Sequence, residues 1–288
     1  MREETVTSAQ NPKIKNLLLL QEKSKARREQ GLFVVEGRRE LEHCIEAGYT
    51  VRTLFVCPEI AGQAGNDVMS GNDVMSGSCV MPGNDVMSGS GVMPGSDRAS
   101  VITLPEQLYR KVAYRESTEG IIAEVEYKSL KLENLDLPEN PLVMVLEAVE
   151  KPGNLGAVLR SADAAGAHAV ILCDPLTDLY NPNLIRASIG AVFTVPTVAC
   201  TSADAIAFLQ ARGIRILTAQ LQDSSLYYDV DMRRGTALVM GTESTGLTDV
   251  WRRAASAHIR IPMLGRLDSL NVSVSAAILL FEAVRQRQ

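Results

Sequence analysis

Leu142-Val-Met-Val-Leu-Glu147, Leu155-Gly-Ala-Val-Leu-Arg-Ser-Ala-Asp-Ala-Ala165 and Ala169-Val-Ile-Leu-Cys173 follow one another as an apolar run of strand length, a helical segment and a second apolar run. Short unbroken apolar runs read as strands buried on both faces, and two such strands joined by a helix make the unit of a parallel sheet. The alternation continues toward the C-terminus. Strands are expected at Val192–Val198, Ile214–Ala219, Ala237–Gly241 and His258–Ile261. Helices are expected at Asn183–Ser188, Ser202–Ala211, Leu247–Arg253 and Leu270–Arg285. Residues 142–288 are therefore predicted to be α/β, a mainly parallel sheet covered on both faces. Ligands of such sheets gather at the carboxyl ends of the strands.

Upstream, residues 1–130 read as a smaller α/β domain. One helix is expected over residues 11–30, ended by Gly31, with others at Arg38–Ala47 and Glu106–Ala113. The strands of this domain are Leu32–Glu36, Val51–Cys57, Val101–Leu104 and Gly120–Glu126. Residues 131–141, with Pro138 and Pro141, read as a linker. Hexapeptides starting at Gly65, Gly71, Gly77, Gly83 and Gly89 interrupt the first domain. Each offers one Val-Met pair among small and polar residues, so residues 65–94 are expected to be a low-complexity insert.

At 288 residues the chain is long enough for two cores. It lacks a run of about 18 apolar residues and an apolar N-terminal leader, so a cytoplasmic location is expected. Cys44, Cys57, Cys79, Cys173 and Cys200 form no C-x-x-C pair, which argues against a disulfide framework. With His43, His168 and His258 far apart, no metal site is expected. A net charge of -5 is unfavourable for a nucleic-acid binder overall, but the charge is uneven. Between Asn11 and Arg39 eight basic residues stand against three acidic ones, a local excess of five positive charges. Lys13, Lys15, Arg27, Arg28 and Arg38 are the candidate phosphate contacts there; a solvated helix face is the alternative.

Three loops at strand ends carry the candidate chemistry. In Glu150-Lys-Pro-Gly-Asn-Leu-Gly-Ala-Val-Leu-Arg160, Gly153 and Gly156 permit a close backbone turn, Asn154 sits near a helix start, and Arg160 lies about two turns on. In Val239-Met-Gly-Thr-Glu-Ser-Thr-Gly-Leu247 a strand enters a glycine-bounded turn carrying Glu243. The third loop begins at Ile261-Pro-Met-Leu-Gly-Arg-Leu-Asp-Ser-Leu-Asn271 and runs into an apolar helix. Its Ser269 and Asn271, with Ser273 and Ser275, suit a helix cap or a bound ligand better than a helix interior.

In order and wording these loops resemble the SpoU/TrmH family of RNA 2′-O-methyltransferases, within the wider SPOUT class. The pattern N-x-G-x-x-x-R is matched by Asn154, Gly156 and Arg160; G-x-E-x-x-G-L by Gly241, Glu243, Gly246 and Leu247; and I-P-M-x-G-x-x-x-S-L-N-V-S-V by Ile261 through Val274. Asn181–Phe193 is similar to the family's helix before its central strand. Ser8–Lys15 and Phe33–Gly37 resemble the substrate-binding domain often fused to these enzymes, a fold similar to some ribosomal proteins.

The resemblance implies a trefoil-knotted C-terminal domain, S-adenosylmethionine as cofactor, a homodimer, and RNA, rRNA before tRNA, as substrate. It places the cofactor against Thr218, Ala219, Gly241, Ile261 and Leu270. Arg160, Asn154, Glu243, Ser269 and Asn271 become the candidate catalytic residues. Arg160 is the family's usual base; because a guanidinium stays protonated, holding a substrate phosphate and stabilising a developing alkoxide suits it better. Asn154 is expected to orient the ribose or phosphate, Ser269 and Asn271 to shape the site, and Glu243 to brace the loops. The alternatives are a tRNA ribose methyltransferase and a non-catalytic RNA-binding protein of the same fold. A dinucleotide-binding enzyme is disfavoured, since no G-x-G-x-x-G follows the strand at Leu142.

Overall fold

The computed structural model describes residues 3–67, 99–114, 119–128, 130–242 and 245–288, and the chain divides into two compact units, Met1–Lys128 and Ser129–Gln288. In the first, β1 (Glu3–Thr5), α1 (Pro12–Glu22), α2 (Ser24–Gln30), β2 (Leu32–Glu36), α3 (Arg38–Glu46), β3 (Val51–Val56), α4 (Pro58–Asp67), β4 (Ser100–Thr103), α5 (Glu106–Val112) and β5 (Ile121–Glu126) follow in order. They build a mixed five-stranded sheet in the order β1-β4-β3-β5-β2. Asn11 caps α1 by accepting from the Lys13 N–H at 2.9 Å, and Pro12 pre-sets its first turn. Ile14, Leu17 and Leu20 recur every three residues, so one face of α1 packs on Val34, Phe55 and Ile122 of the sheet.

The single helix expected over residues 11–30 is instead two, parted at Lys23, whose backbone is extended. Ending α1 there frees its last carbonyls. Arg27, only 2 % exposed, turns back and donates Nη1 to the Leu20 and Gln21 carbonyls at 2.7 and 3.1 Å. Of the repeat tract expected as an insert, residues 65–67 fall in α4 and the rest lies outside the described residues.

Glu124 on β5 is buried at 6 % exposure and accepts from the Asn16 amide at 3.3 Å. Burial pushes its carboxyl up, against smaller opposing effects of hydrogen bonds from Thr53 and Asn16 and the charge of Lys13. A raised folded value means that this group favours the fold when protonated, so its contribution falls as pH rises from the ordinary glutamate value through the raised one. Glu124→Gln is accordingly expected to stabilise the protein at neutral pH and to flatten its acid-side stability profile in urea melts. A variant less stable than the parent at pH 7 contradicts this.

The second unit contains β6 (Leu142–Glu147), α6 (Pro152–Ala164), β7 (Ala169–Cys173), α7 (Pro182–Ser188), α8 (Ala191–Thr194), β8 (Thr197–Cys200), α9 (Ser202–Ala211), β9 (Arg215–Ala219), β10 (Ser225–Leu226), β11 (Thr236–Met240), α10 (Asp249–Ala254), β12 (Ala257–Arg260) and α11 (Val272–Arg287). Its seven strands stand in the order β10-β12-β9-β11-β6-β7-β8, with every neighbouring pair parallel. The expected α/β class and parallel sheet are present. β6, β7 and β8 march to one edge, while β11 returns on the other side of β6 and is flanked by β9.

The strand expected at Val192–Val198 is a correction. Ile189 and Gly190 take left-handed conformations that turn the chain into α8, and the strand begins only at Thr197. A short apolar run cannot by periodicity alone be told from a buried helical turn, and Val192 and Phe193 are such a turn. Residues 131–141, expected as a linker, fall within this unit, and Leu132 and Leu135 pack in its core. The helices expected from Leu247 and Leu270 begin instead at Asp249 and Val272, leaving Leu270 and the cap Asn271 outside α11.

The end of α11 is clamped to the strand starts. Arg287 donates to the carbonyls of Met232, Asn140, Pro141 and Arg234 at 2.8–3.1 Å. Removing it takes a charged donor from all four, although the Pro141 and Arg234 carbonyls still accept from the Thr236 N–H and hydroxyl at 2.8 Å. Arg287→Ala is expected to cost about 2 kcal/mol in urea denaturation; a change within experimental error would show that the clamp is only solvated surface. Among the described residues, no helix is long and apolar enough to cross a membrane.

Candidate active site

The carboxyl ends of β9, β11 and β12, neighbours in the sheet, open onto a cavity of about 390 Å³. Ala219 comes from β9, Gly241 from the end of β11, and Ile261 from the end of β12; Ser269 and Leu270 close the far wall. Four of the five residues expected to hold a cofactor therefore line one cavity. The fifth, Thr218, does not. It is fully buried beneath the wall, and its Oγ1 lies 2.6 Å from Nδ1 of His258, its register partner on β12. Thr218 thus ties β9 to β12. Alternation along a strand explains this: Ala219 turns toward one side, so its predecessor turns away.

Gly241 is required by the fold of its loop. A Cβ there would run into the backbone of Gly246 and, at 2.5 Å, the Leu247 nitrogen, because the chain folds back on itself immediately after β11. The Gly246 N–H donates to the Thr242 carbonyl at 3.1 Å, and Gly246 sits at φ +67, where a side chain is strained. Glu243, expected to brace these loops, lies outside the described residues.

Glu147, absent from the sequence-based candidates, braces the same loop. It ends β6 at 4 % exposure and accepts from the Thr248 N–H at 2.8 Å, the Thr248 hydroxyl at 2.6 Å and the Ser202 hydroxyl at 3.2 Å. The Trp251 indole N–H reaches the Ser202 oxygen at 3.1 Å, and Asp174 accepts from the Ser202 N–H at 3.0 Å. Thr248 directly follows Leu247, a residue of the cavity wall. The signal in the sequence was an acidic residue closing a five-residue apolar run, Leu142–Leu146, in a strand buried on both faces. A buried carboxylate needs donors, and here they come from the loop.

Of the other expected catalytic residues, Ser269 lines the cavity, and Asn271, two positions on, meets Asn154. Asn271 donates its amide Nδ2 to the Asn154 Oδ1 at 3.2 Å, joining the start of α6 to the start of α11 across 117 positions of sequence. Its own Oδ1 caps α11, accepting from the Ser273 N–H at 2.9 Å and the Ser273 hydroxyl at 2.6 Å. Ser269 is exposed and donates to Asp268 at 3.3 Å. Arg160 is exposed on α6 and lies outside the cavity wall; no carboxylate is paired with it among the described residues. Gly153 and Gly156 are not in a turn, as expected, but inside α6. Gly156 serves packing: a Cβ there would meet the Ala187 Cβ at 2.5 Å and the Ser188 nitrogen at 2.8 Å on α7.

In the first unit the basic segment separates into different roles. Arg27 is a correction: buried and bonded to α1 carbonyls, it is not available to a phosphate. Lys13 is exposed but paired with Glu4 at 2.5 Å, while Lys25 pairs with Glu29 at 3.7 Å. Lys15 and Arg28 are exposed, and Arg38 is half-buried at the start of α3.

Comparison with known proteins agrees with this arrangement. A family model described as the SpoU rRNA Methylase family matches residues 141–281, and one described as an MRM3-like substrate binding domain matches residues 11–123. The 23S rRNA (guanosine-2′-O-)-methyltransferase RlmB of Bordetella pertussis is 41 % identical over 175 residues, covering 59 % of this chain and 71 % of that protein. A crystal structure of an RNA 2′-O ribose methyltransferase superposes with a TM-score of 0.76 at 34 % identity, covering 98 % of this chain and 99 % of the other. An AdoMet-bound rRNA methyltransferase from Sinorhizobium meliloti gives a TM-score of 0.80 at 29 % identity, with 98 % of each chain covered. On its sequence, its parallel sheet and these matches, the chain belongs to the SpoU rRNA Methylase family.

Proposed function

We infer that this protein transfers a methyl group from S-adenosylmethionine to a ribose 2′-hydroxyl of RNA, and that the RNA is 23S rRNA. The observation that carries the reading is the cavity at the ends of β9, β11 and β12, walled by two of the family-like loops and joined to the third through Asn154 and Asn271. The residues present fit the cofactor. A cavity of about 390 Å³ is within the range of small-molecule sites, and Met240, Leu247, Ile259 and Leu279 give it apolar walls beside main-chain edges at Ala219, Gly241 and Ile261. When bound, the cofactor supplies an electrophilic methyl group.

The chain's own residues then have to place the ribose oxygen in line and help it lose a proton. Arg160, exposed and paired with no carboxylate among the described residues, is available to hold a substrate phosphate and to stabilise the oxygen as charge develops on it. Asn154, positioned by Asn271, orients the ribose or phosphate. Ser269 shapes the site from the cavity wall. Glu243 is proposed to brace the loop it belongs to, a role it would share with Glu147.

Lys15, Arg28 and Arg38, with Lys13 once released from Glu4, are proposed to follow the RNA backbone. The matched substrate-binding domain supports that role. A homodimer, a trefoil knot in the second unit and action in the cytoplasm belong to the same proposal. Exposed Val274 and Phe281 on α11, with Leu264 and Leu267 in the preceding loop, are the apolar surface that a second copy would cover. The test is ribose-methylation mapping of 23S rRNA from cells with and without the protein. One 2′-O-methyl position should disappear on deletion and return on complementation; an unchanged map of 23S rRNA alongside a lost position in tRNA would reassign the substrate.

A further inference from the structure

β7 and β8 pair in parallel with Cys173 directly beside Cys200. Alternation puts Ala169, Ile171 and Cys173 on the same face of the sheet as Val198 and Cys200, and that face packs against Ala205 and Leu209 of α9. The two residues are register partners, so their side chains stand next to each other on that face. Neighbouring strands lie about 4.8 Å apart, inside the roughly 4.4–6.8 Å between Cα atoms that a disulfide tolerates. Side by side on parallel strands, the Cβ atoms stand farther apart than the relaxed spacing of about 3.8 Å. A bond between them is therefore attainable but strained, the kind that reductants reopen easily.

We propose that Cys173 and Cys200 are a redox-sensitive pair that a peroxide converts into a reversible disulfide across β7 and β8. Cys200 is the partner that peroxide reaches, being half-buried where Cys173 is fully buried. The neighbouring Cys173 thiol holds the Cys200 thiol below its usual value, and Cys200 together with burial pushes Cys173 up, so Cys200 gives up its proton more readily of the two. Its sulfur attacks one peroxide oxygen, the O–O bond breaks, and the other oxygen leaves as water once protonated, giving a sulfenic acid. The Cys173 sulfur then attacks the Cys200 sulfur, the S–O bond breaks, and a second water leaves. Two thiols and one hydrogen peroxide become one disulfide and two waters.

The other described thiols are poorer reactants. Burial pushes Cys44 far up, and Cys57 is raised by burial, with the carboxylate of Glu59 alongside. The new bond would also sit where the strand ends are already tied, since the Asp174 N–H donates to the Cys200 carbonyl at 2.9 Å and the Ser202 hydroxyl to Asp174 at 2.7 Å.

The full-length protein is treated with hydrogen peroxide, alkylated with iodoacetamide, and read by intact mass and by peptide mapping. The expected result is a chain lighter by two hydrogen atoms before alkylation, with Cys173 and Cys200 afterwards free of carbamidomethyl groups and joined in one cross-linked peptide pair that dithiothreitol separates. In Cys173→Ser the bridge is lost and a sulfenic acid on Cys200 is trapped by dimedone. Alkylation of both thiols after oxidation, or a bridge that joins other cysteines, overturns the proposal. Neither reading depends on methyl transfer.

Discussion

Arg160→Ala is expected to slow methyl transfer about 10²–10³-fold, the usual cost of removing one group that stabilises charge at a reacting oxygen. The cofactor's dissociation constant should stay within about twofold, because Arg160 lies on α6 outside the cavity wall. The two readouts separate two meanings of the same side chain. A residue that only positions RNA raises the RNA concentration needed for half-maximal rate and leaves the saturated rate alone. A residue that meets the ribose oxygen lowers the single-turnover rate at saturating RNA. Arg160→Lys keeps the charge but not the planar fork of donors, so an intermediate rate is expected if phosphate is gripped at two points. Full activity in the alanine variant removes Arg160 from the chemistry.

Glu147→Ala is expected to destabilise the second unit by roughly 3 kcal/mol, since it strips a buried carboxylate from Thr248, whose N–H and hydroxyl lose their acceptor, while Ser202 keeps Asp174. Glu147→Gln retains one acceptor oxygen and should recover part of that loss. The alanine variant should also bind S-adenosylmethionine less tightly, because Thr248 carries the chain from Leu247 of the cavity wall into α10. Urea denaturation gives the stability change and calorimetric titration gives the affinity. A stability loss with unchanged affinity would mean that Glu147 holds the core and not the cavity; no change in either would make the network an incidental contact.

How far the sequence could be read depended on how local the physics was. The stretch from Leu142 to Cys173 folds as its pattern says, because two apolar runs around an amphipathic helix have few other ways to bury their surface. The three loops were drawn together by their resemblance to one family, since a capping asparagine, a glycine turn and a serine-rich helix start each have common structural uses. Ala219, Gly241, Ile261 and Leu270 do share a cavity. What escaped was decided by side-chain contacts that no periodicity marks. α1 ends at Glu22 where Arg27 can answer the freed carbonyls, and nothing in the run from Asn11 to Gln30 marks that break. The same contact turned a candidate phosphate ligand into a buried cap.

Thr218 illustrates a finer limit. Its place in the strand pattern puts it next to the cavity, but which side it faces follows from the pairing of β9 with β12, where His258 takes its hydroxyl. Glu147 was missed for the opposite reason. It looked like the polar end of a strand, and only the return of the chain at Thr248 gives its carboxylate a purpose.

The account is tested most directly by incubating the purified protein with unmodified 23S rRNA and methyl-labelled S-adenosylmethionine, then digesting the RNA to nucleosides. Label in one 2′-O-methylated nucleoside, at a single position and absent with Arg160→Ala, is the predicted result. Label carried on a base, or none at all while the cofactor binds, would contradict it.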